Sequence, residues 1–175
     1  MTGFDMQGAS DLGEIATFSL PQGWREGARQ EAIGGRTLHQ FQAGSDCHVR
    51  FCIYIRTLPV SYPAAVDFQK ILYGQFRDLL SEDIARLGEV LEGMSNQAAF
   101  EFNAASTNYL NDRRVLQVEG RWLKADEDTL AVFVDVDGTG RYVQQIYFTA
   151  PAGALESHLS LANSMFTSIK WKQRK

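Results

Sequence analysis

One stretch of the sequence carries residue types suited to phosphoryl chemistry: Asp135-Val136-Asp137-Gly138-Thr139, at the end of the apolar run Leu130–Val134. In an aspartate-based phosphatase, Asp135 would attack phosphorus and Asp137 would handle the leaving-group proton. Thr139 would hold a phosphate oxygen, and magnesium would neutralise the developing charge. That chemistry needs the motif at the end of the first strand of a parallel α/β domain, with most of the fold still to come. Here the chain ends 38 residues after Asp137, and no later aspartate pair follows. A calcium loop fits no better, because its twelfth position, which needs a bidentate glutamate, is Ile146.

A β-hairpin accounts for more of the residues. Leu130, Val132, Val134 and Val136 form one face of a first strand, and Tyr142, Ile146 and Phe148 form the matching face of a second. Because all are even-numbered, one shared face requires an odd loop, and Gly138-Thr139-Gly140 supplies it. The aspartates then read as turn residues, with Asp137 and Arg141 flanking the loop. His39, His48 and Cys52 could share a strand face and suit zinc, but they contain no compact ligand pair. Cys47 and His48 are adjacent strand residues and point apart, so they make no nucleophile–base pair. The sequence gives no positive sign of catalysis and implies no cofactor and no metal.

The elements that must position these residues follow from periodicity. Ile15–Leu20 reads as a strand stopped by Pro21, with Trp24 packing down as an anchor and Arg25–Gly35 as a loop. Arg36–Gln42 and Cys47–Leu58 read as a hairpin around Ala43-Gly44-Ser45-Asp46, which would set Leu38 opposite Phe51 on the buried side. The same register puts His39, Phe41, His48, Arg50 and Cys52 on the other face. Ser61 caps a helix with the stripe Ala65, Phe68, Leu72, Phe76 and Leu79, and Ser81 caps a second with Ile84, Leu87, Val90 and Leu91.

A four-strand meander follows. Phe100 opposite Trp122 would pair Glu101 with Arg121, Lys124 would face Asp128, and Tyr109–Arg113 would form a loop. Ala154–Ile169 has the spacing of a helix that docks on the sheet, and the basic residues from Lys170 onward read as a solvated tail. The expected class is α+β: a single antiparallel sheet, built from an N-terminal hairpin plus the meander, packed against two or three helices. Residues 1–13 read as a loose lead-in and residues 14–175 as one domain.

Composition narrows the partners. Hydrophobic residues are 45% and charged residues 22%, as in an ordinary folded protein, and the net charge of −4 gives no field that recruits nucleic acid. No apolar run is long enough to insert in a membrane. No signal-peptide pattern opens the sequence, so the cytoplasm is the expected location. The two cysteines are too few for a disulfide framework. On the outward sheet face, strand parity gathers Tyr54, Arg50, Arg56, Arg121, Phe133, Gln145 and Tyr147. Of these, Tyr54, Arg56, Arg121, Phe133, Gln145 and Tyr147 are the candidate protein-binding residues, since aromatics and arginine are enriched at interfaces. The loop Tyr109–Arg114 is a second contact candidate.

The stretches Phe18–Trp24 (FSLPQGW), Glu92–Phe100 (EGMSNQAAF) and Phe166–Lys170 (FTSIK), with the order hairpin, helix, meander, helix, resemble the superfamily of the PsbP extrinsic photosystem protein and the Ran-binding Mog protein. Within it the chain looks most like the small bacterial Eag-type chaperones of type VI secretion. That resemblance implies a non-enzymatic, cytoplasmic protein-binding adaptor or chaperone associated with bacterial secretion, with a protein partner and a binding surface on the sheet. The alternatives are a small-molecule-binding protein or enzyme with a pocket between sheet and helices, and an immunity protein.

Overall fold

Alternating and continuous apolar runs set most element boundaries in this chain. A computed structural model describes residues 2–4, 11–27, 30–32, 34–44 and 46–173. In chain order the elements are β1 (Thr2–Phe4), β2 (Ile15–Leu20), β3 (Trp24–Glu26), β4 (Gln30–Ala32), β5 (Arg36–Ala43) and β6 (Asp46–Arg56). Then come the helices α1 (Tyr62–Leu72), α2 (Ser81–Arg86) and α3 (Gly88–Leu91), with a 3-10 turn over Glu92–Ser95. The chain continues through β7 (Phe100–Leu110), β8 (Arg113–Trp122), β9 (Glu127–Asp135), β10 (Val143–Pro151), α4 (Leu155–Thr167) and β11 (Lys170–Trp171).

The main sheet is antiparallel, in the order β3-β5-β6-β10-β9-β8-β7 with β4 also on β5, so the expected hairpin and meander join through β6 and β10. This is the expected α+β class. A small second sheet, β1-β2-β11, is added to it. Within the expected lead-in, Thr2–Phe4 pair with β2 and Leu12 enters the core; residues 1 and 5–10 lie outside the described residues. The segment read as a loop contains β3 and β4, and Lys170–Trp171, read as tail, pair with β2.

Where helices α1–α3 lie, the sheet is buried on both faces. Leu130, Val132, Val134, Ile146 and Phe148 pack with Phe41, Phe51, Ile53 and α4 on one side. Ala131, Phe133 and Val143 pack with Phe100, Leu116, Val118 and helices α1–α3 on the other. Two-sided burial explains why β9 is apolar without interruption from Leu130 to Val134. Fully burying Phe133 or Phe148 each contributes about 2–3 kcal/mol.

One strand register and two helix ends differ from expectation. Phe41, not Leu38, faces Phe51, and Leu38 faces Tyr54. An irregularity where Gln42 pairs Arg50 while Ala43 pairs Asp46 absorbs extra β6 residues, shifts the register by an odd number and turns over every β5 side chain. Burial of Phe41 at 0% exposure selects this solution. Helix α1 stops at Leu72, ahead of Phe76 and Leu79; Gly74 follows, and Arg114 Nη1 takes the carbonyls of Leu72 and Gly74. Leu80 rather than Ser81 is the cap of α2, its N–H donating to Asp83, whose carboxyl Arg77 pulls down to a pKa of about 2.

In the meander, Phe100 does face Trp122 and Glu101 does face Arg121. Arg121 nevertheless pairs with Asp128 at 2.7 Å, because it sits directly opposite that residue on β9. Asn111 and Asp112, both at positive φ, make a tight turn, and the Asn111 amide donates to the carbonyls of Phe166 and Ile169 at the end of α4. The outer edge of β7 is partly closed: Leu79 donates to the Ala105 carbonyl, Thr107 donates to that of Arg77, and Asn108 accepts from the Tyr109 N–H.

One side chain fastens the helical layer to the sheet. Arg56, only 7% exposed, donates to the carbonyls of Glu89 and Val90 at the end of α3 and to that of Val143 on β10, and it pairs with Glu92 at 3.1 Å. Removing it orphans three buried acceptors. Arg56→Met is expected to cost about 2–4 kcal/mol and to lower Tm by roughly 5–12 °C in calorimetry, whereas Arg121→Ala, at a solvent-screened pair, should leave Tm nearly unchanged.

Candidate functional site

The loop with the phosphatase-like motif is built as a turn. Val143 faces Asp135 and Val136 donates to the Tyr142 carbonyl, which is the register that a Gly138–Gly140 loop requires. Gly140 takes φ +73°, and a Cβ there would lie 2.6 Å from the Ala65 carbonyl of α1. Asp135 is 1% exposed; its Oδ1 accepts from the N–H groups of Gly138 (3.1 Å) and Gly140 (3.0 Å), and its Oδ2 from the Tyr73 hydroxyl (3.2 Å). Asp137 accepts from the Thr139 N–H and hydroxyl, while Arg141 Nε donates to the Val60 carbonyl. A carboxylate sealed in this way holds a loop and offers no attacking oxygen.

The accessible chemistry lies where the helical layer ends. Helices α1–α3 cover β7, β8, β9 and the start of β10, and among the described residues no helix covers the same face of β5, β6 and the rest of β10. There a cleft of about 450 Å³ is floored by Leu38, Gln40, Arg50, Cys52, Tyr54, Gln145 and Tyr147. One wall is Leu91–Met94, and the other is Trp122, Ala125 and Glu127. Both of its carboxylates are held by arginine: Arg50 pairs with Glu127, and Glu92 pairs with Arg36 (3.2 Å) and Arg56 and accepts from the Tyr54 hydroxyl (3.2 Å).

Burial raises the Tyr147 phenol well above its ordinary pKa and pushes the Cys52 thiol up to about 12; the two residues sit directly opposite each other on β10 and β6. Tyr54 is also raised, first by burial and then by the Glu92 carboxylate. At neutral pH these groups are uncharged donors and acceptors, not nucleophiles.

The six candidate binding residues separate into three fates. Tyr54, Gln145 and Tyr147 come together on the cleft floor. Phe133 and Arg56 share that face but lie beneath α1–α3, at 0% and 7% exposure, so neither meets an approaching partner. Arg121 is on the opposite face, because the four-residue turn before Glu127 aligns Arg121 with Asp128 and sets Trp122 on the cleft side. His39 is likewise turned away from Cys52: it is fully buried, with Nδ1 2.8 Å from Glu26. Among the described residues no group of three His, Cys, Asp or Glu is arranged to hold a metal.

Glu92, Trp122 and Glu127 were absent from the sequence-derived set. The uninterrupted apolar run of β9 was the available signal, since it marks a strand covered on both sides and hence a partial roof. Two other features are exposed. Phe76 (48%) and Tyr109 (56%) meet at a tilt, ring centroids 5.0 Å apart, beneath the Arg114 guanidinium, and a cleft of about 590 Å³ lies between α2 and β7, lined by Ile84, Phe102 and Leu123 among others. Arg114 is engaged in capping α1, so this cluster, like the Asn111–Asp112 turn, first serves the fold.

No protein-family model matches the sequence, and no curated protein matches it. Among solved structures the chain is similar to cyanobacterial PsbP (CyanoP) from Synechocystis sp. PCC 6803, with a TM-score of 0.55 and 14% identity over 94% of this chain and 91% of that chain. The fold is therefore PsbP-like. Among the described residues no helix is long and apolar enough to cross a membrane.

Two outcomes test this description of the site. Asp135→Ala should destabilise by about 2 kcal/mol by orphaning two loop N–H groups, with Asp135→Asn largely restoring stability because its carbonyl can accept both; equal losses would contradict the turn role. Iodoacetamide at pH 8 should label Cys47, which is exposed, within minutes and leave Cys52 untouched until the chain is denatured, as read by intact mass.

Proposed function

We propose that this chain is a non-enzymatic binding protein that holds a segment of a protein partner in the cleft over β5, β6 and β10. The observation that carries the reading is the half-covered sheet face. Three of the six candidate residues, Tyr54, Gln145 and Tyr147, share one floor, with Trp122 and Met94 at its walls. Aromatic side chains in a desolvated depression are the usual anchors of protein recognition. Catalysis is poorly served there, because the thiol and phenols are held protonated and the two carboxylates are bound to arginines.

The sequence resemblance to Eag-type secretion chaperones supports an adaptor or chaperone role in the cytoplasm, with a secretion effector as the partner class. A second reading, capture of a small molecule, is favoured by one observation: about 450 Å³ falls within the range of small-ligand sites.

Affinity purification of the tagged chain from its native host separates the two readings. The wild type should retain a stoichiometric protein. The double variant Tyr54→Ala/Tyr147→Ala should lose it at least tenfold, and Arg121→Ala, on the opposite face, should keep it. Retention by the double variant, or recovery of a metabolite in place of a protein, would overturn the proposal.

A further inference from the structure

Adjacent residues Gln144 and Gln145 point to opposite faces of β10, and one of them already displays a mode of recognition. On the α4 face, the Gln144 amide is 1% exposed and fully paired. Its Oε1 accepts from the Glu14 N–H at 2.7 Å, and its Nε2 donates to the Leu12 carbonyl at 2.9 Å. A side-chain carboxamide thus grips the backbone of a non-helical segment as it crosses the sheet. The crossing is close: a Cβ at Gly13, between the two contacts, would lie 2.3 Å from the Gln144 Oε1.

On the other face, Gln145 is only 8% exposed, lines the cleft and has no hydrogen-bond partner among the described residues. Several neighbours are engaged: Arg50 with Glu127, Tyr54 with Glu92 and Gln40 Nε2 with Gln42. Gln145 therefore offers the cleft a neutral amide, carrying a donor and an acceptor side by side. Its amide atoms are not sealed from solvent, unlike His39 Nε2 and Thr129 Oγ1, so they can be reached from the cleft.

We infer that Gln145 reads the backbone of an extended peptide segment from the partner, as Gln144 reads residues 12–14 on the opposite face. A peptide unit matches a carboxamide donor to acceptor and acceptor to donor, but only where its own N–H and C=O are not already bonded within a helix or sheet. The occupant is thus an extended segment with a small residue, glycine above all, at the point of closest approach. The side-chain positions of β6 from Arg50 to Tyr54 span about 13 Å, enough for about four extended residues. The carboxylates of the cleft are already held by arginine, while Leu38, Leu91, Met94 and Trp122 accept apolar side chains.

This inference rests on the cleft being the partner site, and one experiment distinguishes the two. A random heptapeptide phage library is selected against the intact protein, and enriched peptides are synthesised with each backbone nitrogen methylated in turn. Binding is measured to wild type, Gln145→Met and Tyr54→Ala/Tyr147→Ala. The inference predicts that methylation at one position weakens binding to wild type by about tenfold and has no effect on Gln145→Met, and that a glycine recurs beside that position. If peptides bind the wild type, depend on Tyr54 and Tyr147, and show no methylation effect coupled to Gln145, the amide reading is wrong and the cleft site stands. If no peptide is enriched, or binding ignores the Tyr54/Tyr147 pair, both fail. The methylation scan on wild type keeps the test decisive even if a variant is unstable.

Discussion

A buried arginine decides where the helical layer ends. Arg56 projects from the middle of the sheet into the junction between α3 and β10, where it satisfies three carbonyls and meets Glu92. A guanidinium is suited to that position because its rigid fork can serve several acceptors at once and keeps its charge when buried. Everything on one side of Arg56 is sealed: Phe133, Phe100, Leu116 and Val118 lie beneath α1–α3. On the other side the strands continue with no helix over them among the described residues, and that remainder is the cleft. Glu92, at φ +49°, is both the anion that completes the fastening and a wall of the cleft, so fold and site share a residue.

The cleft that results is neutral in chemistry although rich in ionisable side chains. Burial drives the Cys52 and Tyr147 protons on, and each nearby carboxylate has an arginine. Such a surface can present hydrogen-bond donors and acceptors without the cost of desolvating an unpaired charge. It suits recognition through shape and amide groups. The PsbP-like architecture accommodates this arrangement, since the sheet is longer than the helices that cover it.

Much of the architecture was legible in the residues because local signals agreed. The three-residue loop at Gly138–Gly140 followed from the even numbering of Leu130, Val132, Ile146 and Phe148, and Phe100 opposite Trp122 followed from the spacing of the meander. Where the reading failed, parity was the cause. The irregular pairing near Gln42 turned over β5, and the four-residue turn after Trp122 moved Arg121 to the α4 face; each is an odd shift that alternation within a strand cannot reveal. Phe133 was misplaced for a different reason: Leu130–Val134 is apolar at every position, the mark of a strand covered on both sides, but was treated as alternating. Arg56 was read as a surface contact because a buried cation is visible only once the carbonyls around it are placed.

The most direct test of the account is the side-chain amide of Gln145 itself, observed by 15N–1H NMR during titration with the purified partner or an enriched peptide. If the cleft is the site and its free amide the reader, the Gln145 Nε2 protons should shift downfield and lose fast exchange with solvent, while the already paired Gln144 amide stays in place. Unchanged Gln145 resonances at saturation, with shifts confined to the Phe76 and Tyr109 surface, would contradict it.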